Sequence, residues 1–290
     1  MDIRSFFRTT EPSTPPSSPS SSSSPSPPPP PPDEPVDLSL AIHQLRDYYK
    51  IGFHAPKCKT LVQTIRDLPS FTSPYQIFLG NPQGSRLSIS ETELQSGRHC
   101  IQETGVSLYV HTPYIINLCA KNEWNVKLLQ TNLKYSAQIG CKGVVVHVGK
   151  STKQPLQEAL SNMKENILAA LDSATRDCPL LLETPAGQGT ETLTKQEDFV
   201  KFVEDFQDER IRICIDTCHI FACGHNPIAY LSNCLAKEGL VKLVHYNDSL
   251  TPCGSCKDRH ALVGTGHIGL EMMTEIAELC KAHSVPMVIE

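Results

Sequence analysis

No apolar run in this 290-residue chain approaches the roughly 18 residues needed to cross a bilayer, which excludes a transmembrane helix. The N-terminal stretch also lacks the continuous apolar segment of a secretion signal, so the expectation is a soluble intracellular protein. Positive charge is not in excess. A formal charge of −5 argues against a generally basic nucleic-acid coat, but it leaves room for a local phosphate site whose positive charge comes from bound metal. Twelve cysteines are scattered along the chain, and the only tight pair, Cys253 with Cys256, lacks the second C-x-x-C that a zinc ribbon requires. Without an export signal they read as mostly reduced, buried thiols. There is no repeat of propeller or solenoid type.

What is present divides the chain in three. About half of the 23 prolines fall in the first 35 residues, where Ser and Pro alternate with almost no large apolar side chain. Residues 8–35 cannot bury enough apolar surface to offset the entropy of ordering. They are expected to be a disordered linker, extended as polyproline II through the proline run. The remaining 255 or so residues suit a single large domain, taken as 36–290.

Within that domain short Val/Ile/Leu-rich runs recur at 50–54, 75–79, 107–111, 143–147, 180–183, 211–216, 241–245 and 285–290. They lack polar alternation, as strands buried on both faces do. Between them lie stretches with apolar residues at helical spacing, such as 125–139, 156–171, 197–206 and 270–283. Eight strands alternating with helices predict a (β/α)8 TIM barrel.

The ends of these runs carry the chemistry. The third to eighth finish at His111, His147, Glu183, Asp216, His245 and Glu290. A parallel barrel presents the C-terminal ends of all its strands on one face, so six metal-ligand residues distant in sequence should converge there. His219, three residues after Asp216, and the pair Asp258 and His260 bring the set to five histidines and four carboxylates. Imidazole with carboxylate and no thiolate suits Zn2+ and can also hold Mn2+.

These residues lie in longer motifs: HTPYIINL from His111, HVG from His147, ETPAGQG from Glu183, CIDTCH ending at His219, HYND from His245, DRH from Asp258 and the terminal IE. With these motifs, the chain from about Lys50 onward resembles the endonuclease IV family of apurinic/apyrimidinic endonucleases. The resemblance implies a trinuclear zinc barrel that cuts DNA on the 5′ side of an abasic site by clustered-metal hydrolysis, with no general-base side chain. It also implies trimming of blocked 3′ ends. One ion would be held by His111, His147 and Glu183. A second would be held by Glu183, Asp216, His245 and Glu290, with Glu183 bridging, and a third by His219, Asp258 and His260. Tyr114 would pack beside the abasic sugar or a nearby metal water, the alternative being a loop anchor. Asn247 and Asp248 would orient His245, and Gln76 and Asn81 with Pro82 would belong to a DNA-penetrating loop after the second strand. Arg259 and Lys257 are candidate phosphate contacts.

Two stretches depart from the family pattern, the loop from His54 to Lys59 without its usual Gly-Gly, and Gln83-Gly84 in the penetrating loop. With the sequence stopping at Glu290, the family's closing helix after the eighth strand is expected to be missing, and Met287 and Ile289 to be left open to solvent or a neighbour. Rival readings are a xylose isomerase-like sugar isomerase, which would not need the third ligand group, and a catalytically impaired lesion-binding scaffold. Residues 1–7 place Ile3, Phe6 and Phe7 on one side of a helical turn, the spacing of a sliding-clamp-binding motif, although its leading Gln is missing. A linker of about 28 residues would then tether the barrel near a ring on DNA. The expected location is the nucleus, or a viral replication compartment if the source is a virus.

Overall fold

The computed structural model describes residues 38–290. The expected clamp-binding residues Ile3, Phe6 and Phe7 and the linker 8–35 lie outside the described residues. In chain order the elements are α1 (Leu38–Tyr49), β1 (Gly52–Phe53), α2 (Leu61–Arg66), β2 (Pro74–Phe78), α3 (Glu91–Thr104), β3 (Ser107–His111), α4 (Glu123–Ile139), β4 (Val144–His147), α5 (Leu156–Leu171) and β5 (Leu180–Glu183). They continue with α6 (Gln196–Glu204), β6 (Ile211–Asp216), α7 (Thr217–Ala222), α8 (Pro227–Leu235), β7 (Val241–His245), β8 (Asp248–Ser249), β9 (His260–Ala261), α9 (Gly269–Ala282) and β10 (Met287–Ile289).

Eight strands form the expected barrel, in the order β1-β10-β7-β6-β5-β4-β3-β2, and each hydrogen-bonded pair is parallel. The ring closes between β1 and β2, where His54 bridges Gln76 and the Ala55 N–H donates to the Gln76 carbonyl at 2.8 Å. Local chemistry starts several helices. Ser90 caps α3 by accepting from the Glu93 N–H at 3.2 Å, and Asn122 caps α4 from the Trp124 N–H at 3.0 Å. The antiparallel pair β8–β9 is an excursion after β7 that the periodicity did not foretell.

Two apolar layers hold the barrel. The larger lies between strands and helices. The smaller consists of Tyr109, Val145, Leu181, Cys214, Leu243 and Val288, one residue from each of six strands, all buried inside the ring. Side chains alternate along a strand, so the residue two positions further on faces the same interior. Those residues are His111, His147, Glu183, Asp216, His245 and Glu290, one layer above an apolar floor.

The outer face of β10 is not open as expected. Met287 is 2% exposed and Ile289 half-buried, and Met287 shares one apolar cluster with Leu45 of α1 and with Met273, Ile276 and Cys280 of α9. Helix α1 packs against α9 on this side of the barrel. The Lys281 ammonium lies 3.7 Å from the centroid of the Tyr48 ring, joining the two helices by a cation–π contact.

Candidate metal centre and active site

Glu183, at the end of β5, is the hub. Its Oε2 lies 3.2 Å from His111 Nε2 and 3.1 Å from His147 Nε2, and its Oε1 lies 2.9 Å from His245 Nδ1. His245 Nδ1 also sits 3.2 Å from Glu290 Oε2. Asp216 has a double role. Its Oδ1 caps α7 by accepting from the His219 N–H at 2.9 Å, while Oδ2 faces His260 Nε2 at 3.7 Å and His245 Nδ1 at 3.8 Å. That cap explains the spacing of Asp216 and His219: the residue that starts α7 fixes the histidine in its first turn beside the same centre. Asp258 bridges His219 Nε2 at 3.3 Å and His260 Nε2 at 3.0 Å.

Burial falls from floor to mouth. Glu183, Asp216 and His245 are fully buried, whereas the Asp258 and His260 side chains keep 29% and 25% of their surface. The cleft above them, of about 510 Å³, opens past Tyr114, Asn117 and Lys150.

Hydrogen bonds set which imidazole nitrogen faces the cluster. His111 Nδ1 lies 2.7 Å from the Thr112 carbonyl, and His219 Nδ1 lies 2.8 Å from the Thr184 carbonyl. A carbonyl can only accept, so both histidines carry a proton on Nδ1 and present Nε2. His245 is turned the other way by Gln76. The Gln76 amide nitrogen donates to Glu290 Oε1 at 2.6 Å and to His54 Nδ1 at 3.0 Å, which leaves its carbonyl oxygen 2.9 Å from His245 Nε2. That oxygen accepts from Nε2–H, and Nδ1 faces the carboxylates.

Charge is strongly coupled here. Burial works against ionising Glu183, but His245 and His147 outweigh it and hold the carboxyl well below the usual range. Burial raises Asp216, with the Glu183 carboxylate adding to the effect. Burial also works against protonating His219, yet Asp216 and Asp258 carry it well above an ordinary imidazole. His245 is likewise raised well above its ordinary value against the pull of burial. Burial lowers His111.

Among the described residues, donors converge in four groups whose ligand atoms lie within 4.8 Å of one another: His111, His147, Glu183; Glu183, Asp216, His245, Glu290; Asp216, His219, His260; and Cys218, Asp258, His260. The first two are the two sets expected around Glu183. The expected third set is divided between the last two groups, with Asp258 held between its two histidines. Buried carboxylates facing imidazole nitrogens whose other nitrogen is already hydrogen-bonded are a donor set that fits hard or borderline cations such as zinc.

Other expected residues take varied places. Tyr114 stands at the mouth, 52% exposed, with its ring 5.6 Å from that of His147 and inclined to it by 28°. Burial and then Glu290 push its phenol up to about 12, so it stays neutral. Its N–H donates to the Pro82 carbonyl at 2.9 Å, which fastens the loop after β2 to the site. Asn81 is exposed on that loop and accepts the Gln83 N–H at 2.9 Å, while Arg259 and Lys257 are exposed beside Asp258.

Gln76 requires correction. It lies within β2 and is 0% exposed, so it braces His245 and Glu290 from below instead of facing DNA. Asn247 and Asp248 do not orient His245. Asn247 donates to Asp216 Oδ2 at 2.7 Å and accepts the Glu290 N–H at 2.9 Å. Asp248 accepts backbone N–H groups of Gly264, Gly266 and Ile268 at 2.9 to 3.0 Å and shapes the loop before α9. The sequence signal for Gln76 was a lone amide in the otherwise apolar run of β2, at an inward position.

An eight-stranded parallel barrel with His, Asp and Glu at its strand ends defines a xylose isomerase-like TIM barrel, and the family of that description matches residues 75–290. A curated relative from Streptomyces avermitilis, named "Probable endonuclease 4", is 32% identical over 262 residues, 83% of this chain and 84% of the relative. Another of that name, from Mesomycoplasma hyopneumoniae, is 34% identical and covers 83% and 92%. The crystal structure of endonuclease IV from Thermus thermophilus superimposes with a TM-score of 0.70 at 25% identity, covering 83% of this chain and 91% of that one. The chain belongs to the endonuclease IV family.

Proposed function

We propose that this protein is a DNA-repair endonuclease that hydrolyses the phosphodiester 5′ of an abasic site in duplex DNA, leaving a 3′-hydroxyl and a 5′-deoxyribose phosphate, and that it trims blocked 3′ ends. The observation that carries the reading is Glu183, shared between two donor sets, with a third group of donors at the cleft mouth. A two-metal sugar isomerase has no use for that third group.

Three zinc ions are assigned to the expected ligand sets, with manganese as an alternative occupant. When bound, they supply Lewis-acid neutralisation of charge on the phosphate and on the departing 3′ oxygen. The protein's own part is placement. Thr112, Thr184 and Gln76 fix the tautomers of His111, His219 and His245, so that each offers one chosen nitrogen. Tyr114 packs beside the abasic sugar, and the loop carrying Asn81 and Pro82 enters the duplex. Extrusion costs least where no base pair must be broken. Arg259 and Lys257 contact phosphate. Residues 1–7 bind a sliding clamp and recruit the nuclease to DNA in a nucleus or viral replication compartment.

The test is single-turnover cleavage of a synthetic abasic duplex by the full chain, paired with metal analysis. A nick on the 5′ side with a 3′-hydroxyl end is expected. A metal-replete protein that binds the lesion without nicking it, or that interconverts aldose and ketose sugars, would overturn the reading. Titration of a peptide of residues 1–12 against the clamp tests the tail, with binding expected to vanish on Phe6→Ala plus Phe7→Ala.

A further inference from the structure

The C-x-x-C pair finds no use in the metal centre, and the fold gives one of its members a different neighbour. Segments 221–224 and 253–256 run against each other through two backbone hydrogen bonds, from the Gly254 N–H to the Phe221 carbonyl at 3.1 Å and from the Cys256 N–H to the Ala222 carbonyl at 2.9 Å. Gly224 and Gly254 lie side by side in this pairing, and both have positive φ, 92° and 73°, a backbone conformation that favours glycine. Cys256 itself has φ 53°, a left-handed conformation that turns the loop at this point.

The sulfurs meet at Gly187. A Cβ built there would lie 3.1 Å from Cys223 Sγ and 3.2 Å from Cys256 Sγ, so the two sulfurs flank one space that only a glycine leaves open. Cys223 is half-buried and its Sγ–H donates to the Pro185 carbonyl at 3.1 Å, whereas Cys256 is exposed. We propose that Cys223 and Cys256 are a peroxide-responsive thiol pair that closes into an intramolecular disulfide, tying the loop that carries Asp258 to the end of the helix that carries His219.

The two thiols have distinct roles. The exposed Cys256 meets the oxidant: its thiolate attacks one oxygen of hydrogen peroxide, the O–O bond breaks, hydroxide leaves and a sulfenic acid remains. The Cys223 sulfur then attacks the Cys256 sulfur. The S–S bond forms, the S–O bond breaks, and the departing oxygen leaves as water with the Cys223 proton. Two thiols lose two electrons in all, and one peroxide becomes two waters. Cys223, half-buried with its Sγ–H on the Pro185 carbonyl, is shielded from the oxidant, so first attack falls to the exposed Cys256 and the resolving step to Cys223. The link would join two elements already in contact through His219 Nε2 and Asp258 Oδ2 at 3.3 Å. This inference does not depend on the reaction proposed above.

The experiment is a hydrogen peroxide titration of the reduced full chain, followed by alkylation of free thiols and non-reducing peptide mapping by mass spectrometry. A Cys223–Cys256 cross-linked peptide is expected, lighter by two hydrogens and reversed by dithiothreitol. It should be lost in Cys223→Ser and in Cys256→Ser and retained in Cys253→Ser. Amide exchange at Gly254 and Cys256 should slow several-fold in the cross-linked protein and recover on reduction. A Cys253–Cys256 bridge, a disulfide between two chains, or Cys256 oxidised to sulfinic acid without a partner would each overturn the assignment. A correct cross-link with unchanged exchange would refute the tie to α7.

Discussion

Replacing Gln76 with Met keeps the volume of a fully buried side chain while removing its amide, and it should damage a site whose ligands are all still present. Three contacts go at once: the acceptor for His245 Nε2–H at 2.9 Å and the donors to Glu290 Oε1 at 2.6 Å and His54 Nδ1 at 3.0 Å. A hydrogen bond to a charged group contributes about 1.5–3 kcal/mol, and a buried donor left without an acceptor costs about 1–3 kcal/mol. Much of this loss falls on the free energy that holds His245 in the tautomer with a bare Nδ1. About 1.4–2.8 kcal/mol there corresponds to a 10–100-fold loss of metal affinity or activity, the range typical when a partner of a metal ligand is removed. The assay is chelator competition followed by metal analysis, alongside circular dichroism to establish that the barrel is intact. A folded Gln76→Met protein with wild-type metal affinity and wild-type incision would refute the claim that this amide sets the His245 tautomer.

Further outcomes follow from the same geometry. Glu183→Gln should preserve the fold but lower abasic-site cleavage by several orders of magnitude, and near-wild-type incision by a metal-replete variant would contradict a shared carboxylate. In chelator-treated protein, His219 and His245 have raised folded values. Their contribution to stability is full below the unfolded value of about 6.5 and is lost as pH rises through the folded ones. Adding zinc must displace those protons, so its apparent affinity should fall as pH falls and calorimetry in buffers of different ionisation heat should register proton release. Leu45→Ala, at a fully buried position of α1, should cost about 2–5 kcal/mol in denaturant unfolding, and a near-zero cost would mean that α1 does not share the core.

Much of this protein was legible in one dimension. The eight apolar runs announced the barrel because a strand covered on both faces loses its polar alternation. The six strand-end donors from His111 to Glu290 were legible because each ends a run, and a parallel barrel has only one face on which such ends can meet. Asp216 and His219 belong to this class too, since a helix cap fixes their spacing locally. What tertiary structure alone decided are contacts between segments far apart in the chain. Gln76 sits in the apolar run 75–79, but only ring closure, which sets β2 beside β1, turns its amide toward His245 and Glu290. Met287 is covered by elements at opposite ends of the barrel sequence, α1 and α9. Cys256, three positions from Cys253, instead faces Cys223, because two backbones separated by some thirty residues touch at a pair of glycines. Periodicity records which way a side chain points along its own strand or helix; which distant side chain it meets depends on how the ring closes and how its loops pack.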